Sequence, residues 1–382
     1  MAALLLKNAH VYAPEDLGVR DVLLVNDRIV AVDKDIVAVL PDLEVIDLTG
    51  KILTPGFFDQ HIHVTGGGGE AGPVSRPPEL MLSELIKVGT TCVVGVLGTD
   101  FVSRSVENLL AKIRGLKEEG VSAWMYTSNY RYPPTTLTGA VSRDMYFVPE
   151  ILGCKIALGD YRSSFPDLQS VLSLLAEVRV GGMISGKLGV LHVHSGDLSG
   201  AFDMYDEIVK RGMPIRHIRP THCSRIEHVF NSSVEFALKG GYVDYTSGGG
   251  TCFGPCAASV KKALDAGVDP AHITMSTDGH GSMPRFNDKG EMIGMGVCGV
   301  EGNYVEMVRL VKEYGVDLST ALRPITSSVA DALVLPDYGH VKVGGVANVC
   351  ILNQDLELET VVSRGKIMMR DKELLAKGTF EE

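Results

Sequence analysis

Residues 54–73 read TPGFFDQHIHVTGGGGEAGP, and this stretch decides how the rest of the chain is interpreted. Its first half, residues 57–63, is a short apolar run between proline and glycine, which predicts a strand. Side chains alternate along a strand, so His61 and His63 share a face and can hold one metal ion at ~2.0–2.1 Å each. The second half is a glycine loop that can approach a ligand closely and ends in Glu70. The two histidines alone fit a half-buried pair before a flexible turn equally well.

The composition favours one large folded core and argues against several classes of partner. A length of 382 residues suits an α/β barrel with an accessory piece, and a hydrophobic fraction of 45% supplies the core. The net charge of −11 and the lack of a basic stretch argue against nucleic acid and anionic membranes. We find no apolar run of ~20 residues and no basic leader, so neither a transmembrane helix nor a signal peptide is predicted.

The cysteines suit a reducing compartment. The chain has seven, an odd number, and several of them lie inside apolar runs. This pattern is typical of free thiols in a cytosolic enzyme rather than of a disulfide framework, so we expect a cytoplasmic protein. Cys252 and Cys256 could resemble a metal-binding pair, but no second pair or nearby histidine accompanies them.

Periodicity divides the chain into two β-rich ends and a different middle. Residues 1–54 and 338–382 carry short alternating runs broken by turn formers, which predicts one small β-sandwich domain built from both termini. Between them, apolar strands alternate with helical segments and predict a (β/α)8 TIM barrel over residues 55–337. The eight predicted strands are 57–63, 90–97, 123–128, 154–158, 190–194, 218–222, 242–246 and 273–277. A doubly wound open sheet is the alternative, but no glycine-rich nucleotide fingerprint follows an early strand.

Polar residues interrupt the ends of five predicted strands. Active sites of such barrels lie at the C-terminal ends of the strands, so these residues are informative as a set. They are His61 and His63 on the first strand, Lys155 on the fourth, His194 on the fifth, His222 on the sixth and Asp278 on the eighth. Each has a plainer explanation, as a buried histidine, a snorkelling lysine or a helix cap. Their recurrence on five strands favours one shared site.

Lys155 is the most informative member of this set. An ammonium group inside an apolar strand is costly unless it is paired or neutralised. A lysine amine that has reacted with CO₂ becomes an anionic carbamate with two oxygens, which can bridge two metal ions. The alternative is an ion pair with Asp160 or Asp59.

The order of these ligands resembles the binuclear amidohydrolase superfamily. Other segments resemble more closely its isoaspartyl (beta-aspartyl) dipeptidase family, over nearly the whole chain. These segments are PGFFDQHIHVTGGGGEAGP, VVGVLGTD, LGDYRSS, HSGD, PTHCSR, STDGHGS and LRPITSSVA. The glycine loop and the PTHxxR pattern are not general features of the superfamily.

The resemblance implies two zinc ions per subunit. One ion would be held by His61, His63 and Asp278, the other by His194 and His222, with N6-carboxylated Lys155 and a hydroxide as bridges. His192 and His280 are not expected ligands. His192 shares a strand face with His194, so it is the alternative metal ligand on that strand.

The resemblance also implies hydrolysis of β-aspartyl dipeptides, with the hydroxide attacking the side-chain amide carbonyl. Asp278 would serve as general base and then acid, and Tyr130 would assist at the carbonyl. Glu70 would bind the substrate's α-amine, and Ser282 would add a hydrogen bond. Arg162 and Arg225 would bind carboxylates, in an order left open. A plainer explanation for Tyr130 is a loop aromatic packed on prolines.

Other functions remain as alternatives. A dihydroorotase- or hydantoinase-like enzyme would act on a cyclic amide but would not need Glu70 together with two arginines. A mononuclear deaminase would have no use for Lys155, and a non-catalytic relative is expected to have lost metal ligands. The resemblance further suggests a homo-oligomer, for example an octamer.

Overall fold

The N-terminal strands build most of a small sheet. The computed structural model describes residues 3–198, 200–287 and 292–381. The first five strands are β1 (Ala3–Tyr12), β2 (Asp16–Val25), β3 (Arg28–Asp33), β4 (Leu43–Asp47) and β5 (Ile52–Pro55). β1 pairs antiparallel with β2 on one side. On its other side it pairs in parallel with β4 near its start and with β5 near its end.

Eight further strands form the barrel that the alternation of strands and helices predicts. They are β6 (Phe57–Ile62), β7 (Thr90–Gly95), β8 (Ser122–Ser128), β9 (Ile151–Leu158), β10 (Val190–Ser195), β11 (Ile218–Thr221), β12 (Val243–Thr246) and β13 (Ile273–Ser276). β6 to β11 form one sheet in chain order, and β12 pairs in parallel with β13. These strands are buried along their whole length except at Trp124, as expected for a parallel sheet covered by helices.

Backbone hydrogen bonds close the ring of strands at two places. Cys223 N donates to Asp244 O at 3.1 Å, which joins the end of β11 to β12. Asp278 N donates to His61 O at 3.1 Å, and His63 N donates to Gly279 O at 2.9 Å. The last strand of the barrel therefore meets the first at residues predicted to bind metal. The prediction of a (β/α)8 barrel is confirmed.

The helices lie outside the strands, and their ends carry recognisable caps. They are α1 (Leu82–Ile86), α2 (Val106–Glu119), α3 (Val141–Phe147), α4 (Leu168–Ser185), α5 (Ala201–Lys210), α6 (Glu227–Leu238), α7 (Cys256–Asp265), α8 (Gly302–Lys312), α9 (Leu318–Leu322) and α10 (Ser327–Leu333). α2 begins after Ser105, whose side chain accepts from Asn108 N, and ends at the left-handed Gly120.

Two elements differ from the expectation. The segment after the predicted strand 123–128 is rich in tyrosine, proline and threonine, which predicts a loop of about 20 residues. α3 instead forms within it, and the buried carboxylate of Asp144 binds the surrounding chain. This carboxylate accepts from Thr127 Oγ1 at 2.6 Å, Leu137 N at 2.9 Å and Thr138 N at 2.8 Å. An antiparallel hairpin of β14 (Ser282–Phe286) and β15 (Met292–Val297) also follows the last barrel strand.

The C-terminal strands complete the small domain. They are β16 (Val349–Leu352), β17 (Leu358–Ser363), β18 (Lys366–Arg370) and β19 (Glu373–Leu374). β16 pairs antiparallel with β5, so the strand order runs β19-β18-β17-β16-β5-β1-β2-β3. Side chains from both termini, including Leu6, Leu24, Leu53 and Ile351, share one core, which confirms a β-sandwich built from both ends. The domain boundaries at 54–55 and 337–338 stay a prediction.

An apolar plug fills the barrel below the predicted site. Phe58 and Leu152, each the second residue of its strand, and Tyr126 of β8 pack with Val329 and Leu333 of α10. The apolar side chains thus fill one end of the barrel, and the candidate site residues lie at the C-terminal ends of the strands. Among the residues described, no helix has the length and apolar character needed to cross a bilayer.

Candidate active site

The histidines of β6 lie beside Lys155 and Asp278. His61 is fully buried and His63 nearly so. Nε2 of His61 lies 3.1 Å from Lys155 Nζ and 3.4 Å from Asp278 Oδ1. Nε2 of His63 lies 3.1 Å from the same Asp278 oxygen. The predicted ligands of the first, fourth and eighth strands therefore meet at one point.

His222 and His194 complete the cluster from the other side. The ring of His222 lies 4.9 Å from that of His61 and 4.5 Å from that of His194, between centroids. His61, His222 and Asp278 each bring a ligand atom within 4.8 Å of the other two. His222 and Asp278 have φ values of 63° and 54°, a left-handed conformation that is uncommon outside glycine and concentrates at functional sites.

Burial keeps the imidazoles neutral, which is the form that binds metal. It lowers the pKa of His61, His63 and His222 below the usual value, and that of His194 to about 3. Burial opposes ionisation of Asp278, but hydrogen bonds from the rings of His61 and His63 favour the carboxylate and hold its pKa below the usual value. The buried Nε2 of His222 has no hydrogen-bond partner among the described residues. Neutral imidazoles, one carboxylate and this unpartnered atom fit a metal centre.

Lys155 lies in the cluster beside His61. It is fully buried, and burial together with Arg225 and Arg162 lowers its pKa to about 7, although Asp278 opposes this shift. Neither proposed carboxylate partner binds it: Asp160 binds Arg162 and His194, and Asp59 binds Thr277. A neutral buried amine can react with CO₂, so the residue fits a carbamate ligand.

The glycine loop brings Glu70 to this cluster. Gly66 and Gly68 adopt left-handed φ values, and a Cβ on either would lie 2.2 Å from a backbone oxygen. Oε1 of Glu70 accepts from Ser282 Oγ at 2.8 Å, Thr99 Oγ1 at 3.1 Å and Arg162 Nη1 at 3.2 Å. The buried Oε2 has no partner among the described residues. One carboxylate oxygen is thus left for another donor.

The two arginines differ in what already binds them. Arg162 directs Nε and Nη2 to the two oxygens of Asp160, at 2.9 and 2.7 Å, and Nη1 to Glu70. Arg225 directs Nη2 to Asp278 Oδ2 at 2.9 Å, and its side chain is 32% exposed. Arg225 therefore has more donor capacity left for a ligand.

Tyr130 also lies at the site rather than on the prolines of its loop. Its hydroxyl lies 2.7 Å from Nδ1 of His194, and its ring centre is 5.3 Å from Lys155 Nζ. Burial raises the pKa of this phenol, so the hydroxyl stays protonated at neutral pH. All eleven predicted residues are thus brought together, while their individual roles stay predictions.

Three neighbours of the ligand histidines are absent from the predicted set. Nε2 of His192 lies 2.8 Å from Nδ1 of His61, Thr246 Oγ1 lies 2.6 Å from Nδ1 of His222, and Asp160 Oδ2 lies 2.8 Å from Nε2 of His194. Such partners orient metal-binding imidazoles. The i, i+2 spacing of His192 and His194 signals the first, and the LGDYRSS segment contains the third. Nothing in the sequence signals Thr246.

His280 has a different place. Its ring nitrogens lie 2.9 Å from Pro78 O and 3.0 Å from Glu84 Oε1. Its backbone oxygen accepts from Gly67 N at 2.8 Å. His280 therefore holds the glycine loop against α1 rather than facing the metal ligands.

Comparison with known proteins gives close structural relatives. No family model matches the chain. A crystal structure of beta-aspartyl dipeptidase from Fervidobacterium islandicum AW-1, in complex with the beta-Asp-Leu dipeptide, superposes with a TM-score of 0.93 at 36% identity, covering 99% of this chain and 100% of that one.

Curated relatives are more distant. A dihydroorotase from Aquifex aeolicus is 34% identical over 96 residues, which is 25% of this chain and 20% of that protein. An adenine deaminase from Roseobacter denitrificans is 23% identical over 380 residues, covering 96% of this chain and 56% of the deaminase. The chain thus spans about half the length of this deaminase and a smaller part of the dihydroorotase. On its full-length identity to the Fervidobacterium enzyme, the chain belongs to the beta-aspartyl dipeptidase family of the binuclear-metal amidohydrolase superfamily.

Proposed function

We propose that this hydrolase cleaves β-aspartyl (isoaspartyl) dipeptides at the side-chain amide. The observation that carries the proposal is the buried Oε2 of Glu70, which has no hydrogen-bond partner in the part of the chain that the structure describes. A β-aspartyl dipeptide has a free α-ammonium close to the scissile amide, and a buried carboxylate is the matching acceptor. The similarity to a structure with beta-Asp-Leu bound supports the same substrate class.

The proposed cofactor is a pair of zinc ions per subunit. His61, His63 and Asp278 would hold one ion, His194 and His222 the other, and carboxylated Lys155 would bridge them. Zinc held there would supply a nucleophilic hydroxide at neutral pH and polarise the scissile carbonyl. The lowered pKa of Lys155, about 7, supports the carbamate because only the neutral amine reacts with CO₂.

The surrounding residues would divide the work on the substrate. Glu70 would accept from the ammonium, and Ser282 would donate to the aspartyl end. Of the two arginines, Arg225 is the better candidate for a substrate carboxylate, because Arg162 already binds Asp160 through two nitrogens.

Two residues would handle charge and protons at the reacting amide. The Tyr130 hydroxyl would donate to the carbonyl oxygen as negative charge develops on it. Asp278 is ionised, so it would take a proton from the nucleophile and deliver it to the leaving amine nitrogen.

A substrate comparison on metal-replete protein tests the proposal. We expect hydrolysis of β-Asp-Leu and little or none of α-Asp-Leu, which differs only in the carboxyl group that forms the amide. Dihydroorotate and a hydantoin serve as the cyclic-amide alternatives, because the chain is also similar to part of a dihydroorotase. Faster turnover of a cyclic amide than of β-Asp-Leu would reject the dipeptidase assignment.

Three broader properties belong to the same proposal. The division into 1–54 with 338–382 and 55–337 follows the strand order. A cytoplasmic location is supported by seven cysteines that are all free thiols. A homo-oligomer, such as an octamer, is supported by exposed apolar side chains on α3 and α4, where Phe147 is 60% and Met183 66% exposed. Sedimentation at several protein concentrations measures the assembly state.

A further inference from the structure

Asp160 binds two parts of the site at once. It follows β9 by two residues and is only 5% exposed. Oδ1 accepts from the backbone N of Arg162 at 2.7 Å and from its Nε at 2.9 Å. Oδ2 lies 2.7 Å from Arg162 Nη2 and 2.8 Å from Nε2 of His194. The carboxylate is therefore shared between a metal-ligand candidate and a substrate-pocket arginine: Oδ2 contacts both His194 and Arg162, whereas Oδ1 contacts Arg162 alone.

The contact with His194 decides which ring nitrogen can bind a metal. An ionised carboxylate only accepts hydrogen bonds, so the 2.8 Å contact with Asp160 favours the tautomer with the hydrogen on Nε2 of His194. Nη2 of Arg162 lies farther from this nitrogen, at 3.3 Å, and already donates to Asp160 at 2.7 Å. Nδ1 then keeps its lone pair, and the Tyr130 hydroxyl lies 2.7 Å from it. His222 is arranged the other way round, because its Nδ1 lies 2.6 Å from Thr246 Oγ1 and its Nε2 has no hydrogen-bond partner within residues 3–198, 200–287 and 292–381.

The contact with Arg162 reaches the substrate pocket. Nε and Nη2 of the guanidinium bind the two oxygens of Asp160, and this bidentate contact fixes the plane of the guanidinium. The third, Nη1, then lies 3.2 Å from Oε1 of Glu70. Asp160 thus contributes, through Arg162, to the position of Glu70, which Ser282 and Thr99 also hold.

We propose that Asp160 is a positioning residue that sets the metal-binding tautomer of His194 and, through Arg162, the position of Glu70. This inference rests on the proposed function, because it assumes a metal at His194 and an ammonium at Glu70. It makes metal affinity and substrate affinity depend on one carboxylate. A purely structural role would instead affect only the stability of the loop.

Asp160→Asn separates these roles. Its oxygen can still accept from Arg162, but its amide then faces Nε2 of His194, so the histidine must move its hydrogen to Nδ1. We expect the zinc affinity of one of the two sites to fall ~10–100-fold, as for other residues that orient a metal ligand. At saturating zinc, we expect the KM for β-Asp-Leu to rise more than kcat falls.

Two further variants complete the test. Asp160→Glu keeps the charge and a pure acceptor, so it should retain more zinc than Asp160→Asn after dialysis against a chelator. Asp144→Asn is the matched control, because Asp144 is also a buried carboxylate but accepts hydrogen bonds from Thr127 and from the loop before α3 instead of from a metal-ligand candidate. It should lower the melting temperature while keeping two zinc equivalents and the wild-type KM.

The outcomes distinguish this inference from the proposed function. Wild-type protein that holds no zinc or leaves β-Asp-Leu intact would overturn both. If wild-type protein holds zinc and hydrolyses β-Asp-Leu, and Asp160→Asn has the same zinc content and KM, only the role of Asp160 is overturned. Equal zinc loss in the Asn and Glu variants would also overturn it, because the loss would then not depend on the acceptor.

Discussion

Replacing Glu70 with glutamine tests the feature on which the substrate assignment depends. The side chain keeps its size, but the carboxylate charge is lost and one oxygen is replaced by an amide NH₂ donor. Oε1 already accepts from Ser282, Thr99 and Arg162, so the amide would place its oxygen there and its NH₂ at the position of Oε2. The substrate ammonium would then face a donor instead of an acceptor.

The expected loss follows from that exchange. Leaving a charged group unpaired in a desolvated pocket costs ~2–5 kcal/mol. At ~1.4 kcal/mol per factor of ten, kcat/KM for β-Asp-Leu should fall roughly 30-fold to several-thousand-fold. Zinc content should stay at the wild-type level, because the metal ligands are other residues.

The assay compares β-Asp-Leu with its N-acetylated form in wild type and in Glu70→Gln. Wild type should strongly prefer the free amine, and the variant should lose most of that preference. Glu79→Gln is the control, because Glu79 is near in sequence, 49% exposed and paired with Lys112. If Glu70→Gln discriminates between the two substrates as well as wild type does, Glu70 does not bind the ammonium.

Three further changes probe other parts of the site. Lys155→Ala should bind less zinc, and its activity should fall at least about 100-fold. Short carboxylic acids should restore part of the zinc content and part of the activity. A variant that retains one zinc ion with unchanged activity would exclude a bridging Lys155. Tyr130→Phe should lower kcat about 10²–10³-fold with little change in KM, whereas a fall in melting temperature alone would indicate a packing role. Burial opposes protonation of His280, but its contacts with Glu84 and Pro78 O raise its pKa above 6.5. The protonated ring therefore contributes its full share of folding stability below pH 6.5. This contribution is lost as the pH rises through the raised pKa. Melting temperatures across this range should fall less steeply in Glu84→Gln; parallel curves would contradict the contribution.

The sequence predicts the barrel well because its signals are local. The strands around Lys155 and His194 are apolar runs bounded by glycine, and each lies within a few residues of its predicted ends. The ligand positions follow from the same pattern, since a polar residue at the end of such a strand faces the open end of the barrel.

The contacts that orient those ligands could not be predicted in the same way. The bonds of Thr246 to His222 and of Asp160 to His194 join residues on neighbouring strands, and their partners depend on strand register. α3 could not be predicted from the sequence because it too depends on contacts that no local pattern shows. It is held by Asp144, whose hydrogen-bond partners lie in an otherwise irregular segment.

The seam of the barrel has a consequence for the order in which the protein assembles. The backbones of His61 and Asp278 bond to each other where the last strand meets the first. Because contacts between distant parts of a chain form late, a folding intermediate with the first strands in place still lacks Asp278 on one side of the candidate metal site. The full set of candidate ligands is therefore assembled only when the ring of strands closes.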